Sequence, residues 1–120
     1  MKTKIATYQE FWPFYLGEHS LPSTRWIHFV GTCIAFANIV AAVVFLAPQF
    51  LLGALFSGYL FAWVSHFFVE KNRPATFTYP FWSFFSDWRM WALMMTGQLN
   101  AELKRFNITP KTITAEAAKV

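Results

Sequence analysis

Apolar and charged positions are sharply segregated along this chain. Residues 26–69 form 44 consecutive positions without Asp, Glu, Lys or Arg, bounded by Arg25 and Glu70. A helix that crosses a bilayer needs about 20 apolar residues, so the run has room for two spans and a short turn. The turn falls at Ala47-Pro48-Gln49, because Pro disfavours a helical residue before it and cannot continue the hydrogen-bond ladder. The pattern therefore predicts helices over residues 24–46 and 50–69, folded as an antiparallel transmembrane hairpin. Small residues recur four apart in both spans, as Gly31 and Ala35 and as Ala54, Gly58 and Ala62. That spacing lets transmembrane backbones approach closely.

Outside the run the pattern changes. Trp88, Trp91, Met95, Leu99, Leu103 and Phe106 recur at helical spacing, with Arg89, Thr96, Asn100 and Lys104 on another face. This predicts an interfacial amphipathic helix within residues 82–106. A third span is the alternative, at the cost of placing Asp87 and Arg89 in or near hydrocarbon. Residues 8–17 and 77–91 are dense in Phe, Tyr and Trp and read as aromatic belts at headgroup level. Residues 107–120 read as a polar tail. The fold class expected is an all-α integral membrane protein, with one membrane domain over residues 1–106.

Composition agrees with lipid as the solvent. Of 120 residues 56% are apolar, 21% aromatic and 13% charged, against roughly 25% charged in soluble domains. The net charge of +4 does not indicate nucleic acid, since there is no Lys/Arg stripe and no RNP, zinc-finger or helix-turn-helix signature. All ten Lys and Arg lie outside the uncharged run, on flanks that a hairpin brings to one side. Basic flanks stay cytoplasmic, which places both termini and the mouth between the flanks in the cytoplasm. Cys33 is the single cysteine and reads as packing, since it has no partner for an internal disulfide or a thiolate metal site. Two spans bury little surface alone, so a homo-oligomer is expected.

The three histidines are placed more tellingly than their number suggests. His28 lies 20 residues before Pro48 and His66 lies 18 after it; at about 1.5 Å per residue their depths differ by about 3 Å. His19 precedes the first span across Pro22, and Glu70 follows His66 by four residues on the same helix face. Imidazole and carboxylate donors suit iron, zinc, copper or nickel, and a few His with a carboxylate and open positions is the arrangement of non-haem Fe(II) oxygenases. A haem held axially by His28 and His66 needs the same matched depth. A scaffold or lipid-binding module with merely interfacial histidines is the third reading. Arg25, Arg73 and Lys71 flank the mouth and could hold an anionic head group, Arg bidentately, or serve as plain interfacial anchors. Asn72 and Asp87 are further polar candidates, although Asp87 reads better as the N-cap of a helix beginning near Trp88. Asn38, in mid-span, reads as a bond across the hairpin.

Two segments carry a resemblance. His19-x2-Pro22-x5-His28, preceded by Phe14-Tyr15, and His66-x3-Glu70-Lys71-x-Arg73-Pro74-Ala75 resemble the signature segments of the membrane-bound 2-hydroxy fatty acid dioxygenases of fatty acid α-oxidation, over residues 11–95. The resemblance implies an Fe(II)-dependent, 2-oxoglutarate-independent enzyme that uses O2 to shorten a 2-hydroxy fatty acid by one carbon. It implies that His19, His28 and His66 hold the iron. Glu70 matches an acidic position of the second motif, as fourth ligand or orienter. Glu70 and Arg73 are the expected catalytic residues, and the cations at the mouth, Arg25, Lys71 and Arg73, are expected at the substrate. The segment between the motifs is shorter than in fungal members, which leaves chain length and pathway open. The lipid bilayer and the 2-hydroxy fatty acid are the expected partners.

Overall fold

A computed structural model describes residues 4–110, and among these every regular element is helical. Helix α1 covers Tyr8–Gly17, α2 Pro22–Val44 and α3 Phe50–Val64; α3 continues through a π-helical turn, Ser65–Glu70. A 3₁₀ turn, Ala75–Phe77, leads into α4, Pro80–Met95, and α5, Leu99–Arg105. The part of the polar tail beyond residue 110 lies outside the described residues.

Two of these elements, Pro22–Val44 and Phe50–Glu70, are long and apolar enough to cross a membrane, with mean hydropathies of 2.1 and 1.5. Helix α2 starts two residues earlier than the periodicity predicts, because Pro22 occupies its first turn, where a missing N–H costs nothing. It ends at Val44, since Leu46 turns left-handed at φ 50° and the Ala47 amide closes back on the Ala42 carbonyl in a Schellman-like stop. Helices α2 and α3 pack along their length. A methyl group on Gly31 would lie 2.4 Å from Phe61 Cβ, one on Gly53 2.5 Å from Asn38 Oδ1, and one on Gly58 4.0 Å from Ala35 Cβ. The paired positions run in opposite chain directions, and the small residues stand where the backbones come closest. Asn38 meets the facing helix at Gly53 but bonds within its own helix, donating to the Ile34 carbonyl.

The aromatic flanks pack differently from the belts expected of them. Phe11, Trp12, Tyr15 and Leu16 of α1 are buried with Met90 of α4 and Leu99 and Leu103 of α5 in one core. Trp12 stacks on Tyr15, and the Arg89 guanidinium lies 4.0 Å over the Trp12 ring. Aromatic rings bury large areas, and their tilted and stacked pairs add to that burial. The expected single helix over 82–106 is two: α4 ends at Met95, Gly97 turns at φ 73°, and α5 follows, because only Gly takes that conformation without steric cost. Trp91 of α4 donates to the Cys33 sulfur and tilts against Phe36, tying this layer to α2. Phe81, Phe84 and Phe85 of α4 remain exposed.

Candidate metal centre

Three segments deliver the histidines. His19 follows α1, where its backbone N–H bonds the Leu16 carbonyl; His28 sits two turns into α2; His66 lies in the π-helical turn. A π turn is a rare insertion that concentrates at functional sites, and this one ends on Lys71 at φ 64°, with the Asn72 amide returning to the His66 carbonyl. The three rings are buried, and one nitrogen from each falls within 4.8 Å of the others. The depth match between His28 and His66 therefore brings them together, and His19 closes the set. Their ring centroids lie 4.4, 5.2 and 6.1 Å apart.

The hydrogen bonds fix which nitrogens face inward. His19 Nδ1 lies 2.8 Å from the Tyr15 carbonyl oxygen and must donate to it, which leaves a lone pair on Nε2. The Asn72 amide nitrogen donates to the Glu18 carbonyl and carboxylate, so its oxygen faces His66 Nδ1 at 2.7 Å as an acceptor. His66 Nε2 therefore also carries a lone pair. These two lone pairs confront each other at 2.9 Å, which repels unless a cation lies between or beside them. The donor set fits a metal ion of the borderline kind bound by imidazole, with second hydrogen bonds of the sort that orient metal-bound histidines. Burial pushes the His19 imidazole well below its ordinary value, and the neighbouring His66 and His28 push it the same way, so it is neutral and able to ligate at pH 7. A haem between His28 and His66 does not fit, because the His19 ring occupies the space a macrocycle would need.

Asp87 supplies the nearest carboxylate. Its Oδ1 lies 3.4 Å from His28 Nε2 and accepts from the Tyr15 hydroxyl at 2.5 Å. Burial pushes this carboxyl up to about 7, against the opposing hydrogen bond from Tyr15; burial, and then the charge of Asp87, raise the Tyr15 phenol well above its usual range. The capping role expected of Asp87 does not hold, because α4 begins at Pro80 and Asp87 sits in its middle. The sequence signal for it is a single acid on the aromatic face of a helix.

Glu70 lies elsewhere than the metal-ligand expectation put it. Its buried carboxylate accepts from the Ser20 amide and hydroxyl at 3.2 and 2.7 Å, the Leu21 amide at 3.1 Å and the Thr24 hydroxyl at 2.5 Å. It caps the N-terminus of α2, where free amides and the helix dipole favour an anion. Arg25 is turned to the backbone, donating to the carbonyls of His19 and Ser20. Arg73 is exposed and lies 4.9 Å over the Phe77 ring, and Lys71 is exposed. None of these three cations lines the cavity that opens beside the histidines.

That cavity has a volume of about 280 Å³ and holds His19, His28, His66, Tyr15 and Asp87 at its polar end. From there it follows the seam between α2 and α3, past Ala35, Ala54 and Gly58, to Ile39 and Leu51. Ile39 is 11 residues beyond His28 and Leu51 is 15 before His66, a depth of roughly 16 to 22 Å at the helical rise. A polar, donor-rich end on a long apolar groove is complementary to a single-chain amphiphile.

The family model for 2-hydroxy-palmitic acid dioxygenase Mpo1-like proteins matches residues 5–99. The chain belongs to this Mpo1-like family. The matched region contains all three histidines, Tyr15, Asn72 and Asp87, and it takes in α1 to α4. No curated protein and no solved structure matches the chain. The Mpo1-like family name implies a dioxygenase acting on a 2-hydroxy fatty acid, and three histidines that could hold a metal lie at the head of the groove.

Proposed function

We propose that this Mpo1-like protein is an integral membrane Fe(II) dioxygenase that shortens 2-hydroxy fatty acids by one carbon, using O2 and no 2-oxoglutarate. The observation that carries the reading is the continuity of one cavity from three convergent imidazoles to an apolar groove of acyl-chain depth. His19, His28 and His66 would hold the iron, and Asp87 is the carboxylate placed to complete or orient the set. Bound there, Fe(II) supplies the one-electron chemistry that lets O2 react with a singlet organic substrate.

The rest is done by the chain. Tyr15 and Asn72 hold the His19 and His66 rings in one tautomer each. Arg25 pins the loop that carries His19, and Glu70 fixes that loop to the start of α2. The groove keeps the alkyl tail out of water and presents the carboxyl end at the histidines, so binding energy from the tail is spent on orientation at the head. One O2 with one 2-hydroxy acid balances as the acid one carbon shorter, CO2 and water. We read α2 and α3 as a transmembrane hairpin with its basic, histidine-bearing end in the cytoplasm.

The test is direct. Purified protein loaded anaerobically with Fe(II), given 2-hydroxypalmitate and then O2, should consume O2 and release the acid one carbon shorter, seen by mass spectrometry. Neither product nor O2 uptake over a series of chain lengths would overturn the reading.

A further inference from the structure

The cavity contains a polar group with no partner. Buried hydroxyls elsewhere among the described residues are satisfied: Thr24 bonds Glu70, Thr32 the His28 carbonyl, Ser57 the Gly53 carbonyl, Ser65 the Ala62 carbonyl, and Ser86 the Tyr8 hydroxyl. Ser83 is 1% exposed, and its hydroxyl is the one buried side-chain polar atom among the described residues without a hydrogen bond. A serine within a helix has an easy alternative, the carbonyl four residues back, which Ser57 and Thr32 use and Ser83 does not. A buried hydroxyl left unbonded is costly and rare, so its position calls for a ligand.

Ser83 lines the same cavity as the three histidines, one helical turn before Asp87 on the same face of α4. The cavity wall carries no Lys or Arg, so a carboxylate entering it meets no protein cation, and its oxygens need hydrogen-bond donors. Asp87 is an acceptor when ionised, and the Tyr15 hydroxyl is already given to it. Ser83 is a donor with nothing else to bond.

We propose that Ser83 is a substrate-binding residue whose hydroxyl donates to the carboxylate of the fatty acid in this cavity, holding the head group beside the histidines. The inference rests on the lipid-oxygenase reading for the identity of the ligand and adds the residue that binds its acid end. A hydrogen bond to a charged oxygen carries about tenfold or more in affinity. Ser83→Ala removes it without creating a cavity or orphaning a partner.

The experiment is a binding titration of detergent-solubilised protein with 2-hydroxypalmitate, followed by intrinsic tryptophan fluorescence, since Trp88 lines the cavity. Ser83→Ala should bind about tenfold more weakly, with thermal stability and metal content equal to wild type. Ser83→Thr, which keeps the hydroxyl, should recover affinity, and 2-hydroxypalmitate methyl ester, whose neutral carbonyl is the weaker acceptor, should distinguish wild type from Ser83→Ala by less than the acid does. Ser86→Ala, which loses a bond to Tyr8, should instead lower stability and leave affinity unchanged. Equal affinity of Ser83→Ala and wild type for the acid would overturn the role of Ser83 while leaving the lipid reading intact; no binding of the acid to wild type would overturn both.

Discussion

Removing the Glu70 carboxylate should unfold this protein more readily without taking away its three clustered histidines. The carboxylate is fully buried and accepts from two backbone amides, those of Ser20 and Leu21, and from the hydroxyls of Ser20 and Thr24. Glu70→Ala orphans the amides where the loop enters α2, each at about 1–3 kcal/mol, while the hydroxyls can rotate to other acceptors. With the lost interaction between anion and helix terminus added, a destabilisation of about 3–5 kcal/mol follows. Glu70→Gln keeps one acceptor oxygen but turns an NH2 toward donors, which should cost about 1–3 kcal/mol. Denaturant titration in detergent, followed by circular dichroism, reads the stability, and elemental analysis of the folded fraction reads the metal. Metal per folded molecule should match wild type in Glu70→Gln. A Glu70→Gln protein of wild-type stability that has lost its metal would show that the carboxylate belongs to the ligand set, and the capping argument would fail.

Three further outcomes are expected. His19→Ala, His28→Ala and His66→Ala should each lose most of the bound metal, measured by elemental analysis, while Asn72→Ala, which frees the His66 ring, should weaken metal affinity by about 10–100-fold. Ala54→Phe should fill the middle of the groove and discriminate against long chains, at about 0.8 kcal/mol, or fourfold in affinity, for each methylene excluded, measured by competition between 2-hydroxy acids of different length; unchanged chain-length preference would place the tail elsewhere. Gly31→Ala should destabilise the packing of α2 on α3 by about 1–3 kcal/mol, read in the same denaturant titration, because its methyl would meet Phe61 Cβ at 2.4 Å.

The long helices and the pairing of His28 with His66 were legible because both depend on spacing, and spacing along a helix converts directly to depth. The gap between His28 and Pro48 nearly equals that between Pro48 and His66, and the rings meet. What was not legible depends on which of two chemically reasonable partners a side chain finds. Glu70 shares a helix face with His66, but the start of α2 offers a carboxylate more hydrogen bonds there. Arg25 carries a charge suited to a head group, yet two backbone carbonyls at the end of α1 take its guanidinium. The aromatic segments have the composition of membrane belts, and only the packing of α1 on α4 reveals that Phe11, Trp12 and Tyr15 form a core. The π turn at Ser65–Glu70 has no composition signal, since Ser-His-Phe-Phe-Val-Glu continues the apolar pattern of α3.

That hidden core explains how a cluster of three histidines can be held in so small a protein. Two long helices supply only His28 and His66; His19 and Asp87 come from the layer that α1 and α4 form beside them. A cluster of three buried imidazoles and a partly buried carboxylate is costly to assemble, and it persists only where its surroundings fix each member. Here Tyr15 does this twice, its carbonyl holding His19 and its hydroxyl holding Asp87, while its ring is buried against Trp12 and Phe11. One residue of the aromatic core thus sets the geometry of two site groups from different elements. The layer of α1 and α4 is therefore part of the site, and its aromatic residues serve to hold polar groups in place there.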